Sequence, residues 1–503
     1  MVHRCDRSLM SQTSTADRPP VSDAGAATLT RRDRNVIYLL LAATFVVILN
    51  ETIMSVALPA LKDDLGVGDV TVQWVATGFM LTMAVVIPIT GILLQRVRTR
   101  PMFVAAMTMF TTGTLLCAVA PGFSALLAGR IVQAVGTAIM VPLLMTTVMT
   151  LVPAAIRGRM MSNISLVIAV APALGPTISG VILQTFGWRA MFWVVLPIAA
   201  GMLAVGARRV QNVTEIRHAR IDVLSVVLSA IGFGGLVYGL SLAGEGATVD
   251  VAFVLTVTAV GVAGLAAFVV RQLVLQSSDS PLLDLRTFRS VQFTLSLIVV
   301  MISFSALLGT MIVLPIYMQE VLGFPPLYVG LAVLPGGLLM GLAAPLVGRV
   351  YDRRGTRVLV VPGVVLLAGS LWGLAAVTSA STPFALLVGL HVVLSIGLAM
   401  IMTPVMSTGL GAVPAHLYSH GSALVATLQQ VAAAAGSALF ISTLAAVTGS
   451  RIAAGQAPQV ASAGGTQAAF VTGAILCSIA AVVAWFVRGG GEQAVADDSE
   501  ERA

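Results

Sequence analysis

A carboxyl stands where hydrocarbon is expected. Glu51 lies inside an apolar run over 36–59, in the stretch Leu49-Asn50-Glu51-Thr52-Ile53-Met54. It is about eight residues, or about 12 Å at helical rise, from the end of that run at Pro59. An unpaired charge at such a depth costs about 2.5–3.5 kcal/mol on insertion scales. A group of this kind belongs in a water-filled cavity, beside a counter-charge or on a proton path. The alternative is a structural carboxyl bonded to a neighbouring helix. A carboxyl facing a cavity can hold a proton or face a cation, and each excludes the other.

A second buried charge has a similar depth. Arg130 sits about seven residues, or about 10 Å, inside the apolar run 123–152. A guanidinium does not shed its proton, so it needs an acceptor. Glu51 is the expected one, and Gln133 or backbone carbonyls are the structural alternative. Gln429 and Gln430 are adjacent in the run 419–447, so they point to different faces and one of them is expected to line a cavity. His391, in the run 383–411, could titrate near neutral pH, although a lone histidine in an apolar helix is more often structural. Phe79, Met80, Met83, Met140 and Met145 are adaptable enough to meet varied ligands and are equally ordinary packing residues. Asp352 with Arg353 and Arg357 reads as an ion-pair cluster at a span end, able to latch and release. Cys5, Cys117 and Cys477 lie far apart, with no disulfide framework or metal-ligand spacing. There is no HExxH, no GxSxG and no phosphate loop, so neither enzymatic chemistry nor a cofactor or metal is expected, and the energy source is expected to be an ion gradient.

The elements that place these residues are membrane spans. The chain has 503 residues, 57% hydrophobic and 10% charged, against about 25% charged in soluble domains. Apolar runs recur at 36–59, 71–94, 102–120, 123–152, 160–183, 188–206, 222–243, 250–272, 291–319, 326–348, 357–377, 383–411, 419–447 and 466–487. With the N-terminus inside, the 28 Lys and Arg fall on the inner side except Lys62, Arg189 and Arg451, which lie outside, and Arg130. That asymmetry is the positive-inside signature, so the net charge of +7 speaks for membrane topology and not for nucleic acid. Both termini are expected in the cytoplasm. The first 30 or so residues have no apolar signal region and read as a polar tail.

A faint repeat links the sequences after the second and tenth runs. Gly91-Ile-Leu-Leu-Gln95-Arg96-Val-Arg98-Thr-Arg100 parallels Gly348-Arg-Val-Tyr-Asp352-Arg353-Arg354-Gly355-Thr356-Arg357. Two six-helix units with two inserted helices follow: a tail at 1–34, a bundle at 35–207, the insertion at 208–290, a second bundle at 291–488 and a tail at 489–503. Parallel repeats of this kind place a central site between the units.

Four stretches resemble the major facilitator superfamily and, within it, the 14-span drug:proton antiporters of the EmrB/QacA type. They are Leu49 to Pro59, Gly348 to Arg357, Arg130-Ile-Val-Gln133-Ala134-Val-Gly136, and Ala171-Pro172-Ala-Leu-Gly175-Pro176-Thr-Ile-Ser179-Gly180. The resemblance covers residues 36 to 488. It implies an all-α membrane protein with 14 helices arranged six, two, six. It implies proton-coupled export of amphipathic cationic or neutral compounds across a bacterial cytoplasmic membrane, with a dedicated exporter of one metabolite, lipid or antibiotic as the alternative. The expected partners are drug-like small molecules, protons and the lipid bilayer, and a monomer is the expected state. The resemblance assigns proton and substrate coupling to Arg130 and the first-span acidic position, here Glu51 beside Asn50; the candidates for a substrate cavity are Trp74, Gln133, Gln429, Gln430 and His391. Pro172, Gly175, Pro176 and Gly180 would form an antiporter seal, and Gly348, Asp352, Arg353 and Arg357 a cytoplasmic gate. The chain departs from the pattern at Asn50, where the acidic residue shifts to Glu51, and at Gln95 and Arg98, where Asp and Gly are expected. Ala134, Ala171 and Ser179 stand for expected glycines, a small-for-small exchange that preserves close helix contact.

Overall fold

The computed structural model describes residues 29–67, 69–213, 222–244, 250–278 and 281–488. The expected tails over 1–28 and 489–503 lie outside the described residues. So do the loop segments 214–221 and 245–249.

Apolar runs of this length form helices because only a helix satisfies every backbone group within its own segment in lipid. The described residues hold α1 (Arg31–Leu65), α2 (Asp69–Arg96), α3 (Thr99–Ala118), α4 (Phe123–Leu151), α5 (Ala154–Phe186) and α6 (Trp188–Arg209). Then come α7 (Val223–Ser229) and α8 (Gly235–Gly244), joined by a π-helical turn at Ala230–Gly234 into one span, and α9 (Val251–Leu275). The last group is α10 (Val291–Ile316), α11 (Pro326–Arg354), α12 (Arg357–Val377), α13 (Phe384–Gly411), α14 (Tyr418–Ala453) and α15 (Pro458–Ala484). No strand occurs among the described residues. Thirteen of these spans are long and apolar enough to cross a membrane. The other is α5, at 33 residues about 50 Å long; its stretch 164–181 carries no charged residue, and several of its side chains lie outside the described residues.

Several helices outrun the expected spans. α1 continues past Pro59 to Leu65 and ends at Gly66, whose φ of 61° suits only a residue without a side chain. α15 begins at Pro458, eight residues before the expected 466. At the far end of α1, Asp64 accepts from the Trp188 indole at 2.9 Å and from Arg189 at 2.8 Å, and Arg189 donates on to the Ala120 carbonyl at 3.2 Å. These donors, the indole first, hold the Asp64 carboxyl below its ordinary value. The arrangement clasps the ends of α1, α3 and α6.

α1 to α6 pack among themselves, as do α10 to α15. The second helix of each group packs on the fifth of the other, α11 on α5 and α2 on α14. The inserted α8 lies against both α2 and α14, with the Trp74 ring of α2 tilted at 40° to the Tyr238 ring, centroids 5.5 Å apart. Within the insertion the helices approach at Gly235 and Gly261, where a Cβ on Gly235 would lie 2.9 Å from the Gly261 Cα.

Asp222 caps α7 by accepting from the Ser225 amide at 3.0 Å and hydroxyl at 2.7 Å. Arg271 of α9 closes a two-point ion pair on it at 3.0 and 3.1 Å. The Arg271 guanidinium, with Ser225 behind it, holds Asp222 at about 2. A carboxyl depressed in the folded state contributes stability above its unfolded value near 3.9 and loses it as pH falls through the folded value. The thermal midpoint of the wild type in detergent is therefore expected to drop further between about pH 4 and pH 2 than that of Asp222→Asn. Equal drops would mean that the pair contributes nothing.

Candidate functional site

The polar centre of the first six helices is built around Arg130. Its side chain is 1% exposed. Nη1 donates to Gln133 Oε1 at 2.7 Å and to Asn50 Oδ1 at 3.3 Å, and Nε donates to the Val75 carbonyl at 3.4 Å. The Phe79 ring lies 4.0 Å from the guanidinium carbon, adding a cation–π contact in a dry setting. Gln133 Nε2 passes the chain on to Thr114 Oγ1 at 2.8 Å, which donates to the Phe110 carbonyl at 2.7 Å. Four helices, α1 to α4, thus meet at one cation.

The expected pairing of Arg130 with Glu51 is not what forms. The hydrogen-bonded neighbour on α1 is Asn50. A helix turns about 100° per residue, so when Asn50 faces α4 its successor faces elsewhere. Glu51 is half-buried. Among the described residues it makes no hydrogen bond and no ion pair within 4.0 Å, although the Arg130 charge acts on it through space. Gln133, expected in a substrate cavity, is instead fully buried as the link between Arg130 and Thr114. Thr114 and Phe79 were the unforeseen parts of this centre. Thr114 had no sequence signal beyond being polar in an apolar run, and Phe79 was expected either to meet ligands or to pack, not to face a guanidinium.

α5 closes on α1 beside this centre. A Cβ on Gly175 would collide with the Thr52 side chain, and Ser179 Oγ donates to the Ile53 carbonyl at 2.9 Å. The glycine-to-serine departure therefore adds a hydrogen bond where contact alone was expected. The backbone stays helical through Pro172, Pro176 and Gly180; the side-chain surroundings of these three lie outside the described residues.

The Arg-rich ends of the two helix groups are closed on each other. Asp352 of α11 accepts from the backbone amides of Gly158 at 2.9 Å and Arg159 at 3.0 Å near the start of α5. The expected ion-pair cluster with Arg353 and Arg357 does not form. Backbone donors across the seam take the carboxylate, while Arg353 is exposed and Arg357 donates to the Trp485 carbonyl at 3.1 Å. Gly348, one helical turn back, is what permits the approach: a Cβ there would lie 2.8 Å from the Gly158 carbonyl oxygen and from Ser162. Deeper in, Thr403 of α13 donates to Ser165 of α5 at 2.9 Å. At the other seam Gln95, the counterpart of Asp352 in the repeat, donates a single bond to the His416 carbonyl at 3.1 Å before α14. Where Asp was expected, the latch is neutral.

Behind these contacts Met145, Met161, Ser165, Met340, Met402 and Gln429 line a void of about 20 Å³ between the helix groups, room for about one water. Drug-sized ligands need about 300 Å³ or more, so a ligand site here requires the helices to part. Gln430, on the other face of α14, lies 3.7 Å from the Met83 sulfur. Met80 is exposed, whereas Met83, Met140 and Met145 are buried. Trp74 meets Tyr238 of the inserted span. His391 is buried beside Gly336 and Ser395, with neither ring nitrogen partnered among the described residues.

Comparison with known proteins agrees with this architecture. Residues 40–437 match the model of the Major Facilitator Superfamily. The chain is 40% identical over 458 residues to a lincomycin resistance protein of Listeria monocytogenes, covering 90% of this chain and 96% of that one. It is 30% identical over 390 residues to a multidrug resistance protein B homolog of Mycobacterium tuberculosis, covering 77% and 72%. The structure of the human organic anion transporter MFSD10 superposes with a TM-score of 0.64 over 90% of this chain and 100% of that one, at 16% identity, a likeness of fold alone.

Proposed function

Since the chain belongs to the major facilitator superfamily, we propose that it exports amphipathic cationic or neutral compounds from a bacterial cytoplasm in exchange for protons. The fold is the superfamily's, with fourteen helices in six, two, six order. In this reading α1–α6 and α10–α15 are two rigid bundles that rock about a midplane site, both termini are cytoplasmic, and the closed Arg-rich face is the cytoplasmic gate.

The carrying observation is the contrast at Asn50-Glu51. Asn50 Oδ1 accepts from Arg130, while the neighbouring carboxyl has no hydrogen bond among the described residues and is half-buried, within the field of that cation. A carboxylate so placed can be neutralised by a proton or by a cationic ligand, and occupancy by one expels the other, which is all that exchange at a single site requires. The names borne by similar proteins, lincomycin resistance and multidrug resistance, support small toxic compounds as cargo. They also favour a narrower second reading, a dedicated antibiotic exporter with the same coupling.

The test is proton release from purified protein on adding ethidium, a permanent cation. Wild type is expected to release protons and Glu51→Gln to release none, while both bind a neutral substrate. Release from the variant would move the coupling carboxyl elsewhere. Competition between lincomycin and ethidium separates the broad reading from the narrow one.

A further inference from the structure

The inserted helices reach the gate. After α9 the chain turns back; Leu282 and Leu283 are both fully buried, and Leu283 enters the seam between α2 and α14. A Cβ on Gly91 of α2 would lie 3.2 Å from Leu283 Cδ2, 3.2 Å from His420 Nδ1 and 3.3 Å from the Ala423 Cβ of α14. Gly91 is the repeat counterpart of Gly348. At the α5–α11 seam the corresponding place is filled by direct contact of Gly348 with α5, whereas at this seam a leucine from the insertion stands in it.

The leucines are held from the insertion. Gln272 of α9, fully buried, accepts from the Leu282 amide at 2.7 Å and the Leu283 amide at 3.3 Å. Its Nε2 donates to Ser225 Oγ of α7 at 2.8 Å, and Ser225 is bonded to Asp222, which Arg271 pairs. One connected chain therefore runs from the ion pair at the base of the insertion to the leucines in the seam. Beyond them, Asp284 caps the next turn by accepting from the Arg286 amide at 2.9 Å.

We propose that the inserted helix pair anchors a plug, Leu282–Leu283, positioned by Gln272, which holds the α2–α14 seam shut at its Arg-rich end and must withdraw for that face to open. The seam has a neutral Gln95 contact in place of the two amide bonds that Asp352 collects at the other seam. Two buried leucines supply apolar contact there instead. Gln272 is a positioning residue: it touches no ligand and acts through the backbone of the leucines.

The test uses the full chain in membrane vesicles with Cys5, Cys117 and Cys477 replaced by Ala. A cysteine at Ser165, behind the closed gate, reports opening by its rate of reaction with a water-soluble methanethiosulfonate. Gln272→Met keeps the length and removes all three of its hydrogen bonds, and is expected to raise that rate about fivefold or more, the yield of even one of them counted net. Leu282→Ala with Leu283→Ala is expected to do the same. In a second chain a short bifunctional methanethiosulfonate bridges cysteines at Leu283 and Ala423. The bridge is expected to stop labelling at position 165, and reductant to restore it. A purely structural role for Gln272 would lower the thermal midpoint and leave the labelling rate alone. Unchanged labelling in both plug variants, or unimpeded labelling of the bridged protein, overturns the proposal. Because the bridge is made in folded protein, poor folding of Gln272→Met leaves a decisive measurement. Neither readout depends on the cargo or on protons, so failure here is distinct from failure of the export reading.

Discussion

Replacing Arg130 by Met should abolish ethidium efflux, and replacing it by Lys should nearly do so. Arg130 presents one planar fork to Asn50, Gln133 and the Val75 carbonyl at once. An ammonium is a point donor on a flexible stem and cannot reproduce that set. Methionine leaves the Asn50 and Gln133 oxygens buried and unpaired, at about 1–3 kcal/mol each, and removes the cation whose field reaches Glu51. Loss of stability and loss of transport are separable. Arg130→Met should lower the thermal midpoint in detergent, while Arg130→Lys, which keeps the charge, should lower it less and still fail to export. Efflux by Arg130→Lys within about threefold of wild type, well below the factor of ten that 1.4 kcal/mol represents, would show that the fork is structural and that the charge alone suffices.

Gly348→Leu should be the most damaging change at the gate. The added Cβ meets the Gly158 carbonyl oxygen and Ser162 at 2.8 Å, closer than real contacts allow, and the atoms it meets are partly backbone and cannot swing aside. α11 must move off α5, and Asp352 then loses both amides. Hydrogen bonds to a charged acceptor are worth about 1.5–3 kcal/mol apiece, so the closed gate should lose a population factor of about 100 or more. The expected result is fast labelling of a cysteine at Ser165 and export reduced by at least about tenfold, with the protein still membrane-inserted. Asp352→Asn, which keeps the shape and removes the charge, should show the same change to a smaller degree. Slow labelling in Gly348→Leu would mean that the seam tolerates the side chain and that the glycine is there for another reason.

Much of this was legible in the sequence because lipid imposes a coarse and strong rule. Spans could be counted from apolar length. Depth could be read too, so Glu51 and Arg130 were placed near one level. What could not be read was rotation. One residue of offset decides whether Asn50 or Glu51 meets Arg130, and hydropathy does not register 100° of turn. Backbone partners were equally invisible: Asp352 was foreseen at a latch, but the Gly158 and Arg159 amides that it engages have no side-chain signature. The π-helical turn at Ala230–Gly234 lies where α9 comes so near that a Cβ on Gly232 would stand 2.7 Å from the Leu265 backbone nitrogen, and an approach of that kind leaves no periodic mark. Gln272 went unnoticed, although a glutamine next to an arginine at the foot of an apolar helix was a signal that something polar awaited it.

The insertion also makes the molecule lopsided toward its solvent. Of the two seams where the helix groups meet, the one between α2 and α14 is roofed by α8 along its flank, while the one between α5 and α11 has no such cover among the described helices. A solute dissolved in the acyl chains and not in water therefore meets two unlike seams, one covered by the extra hairpin and one closed by α5 and α11 alone. For greasy cargo this is a difference in the route of entry, set by which side of the barrel carries the extra hairpin, and it would exist even if the chemistry at the midplane were perfectly symmetrical.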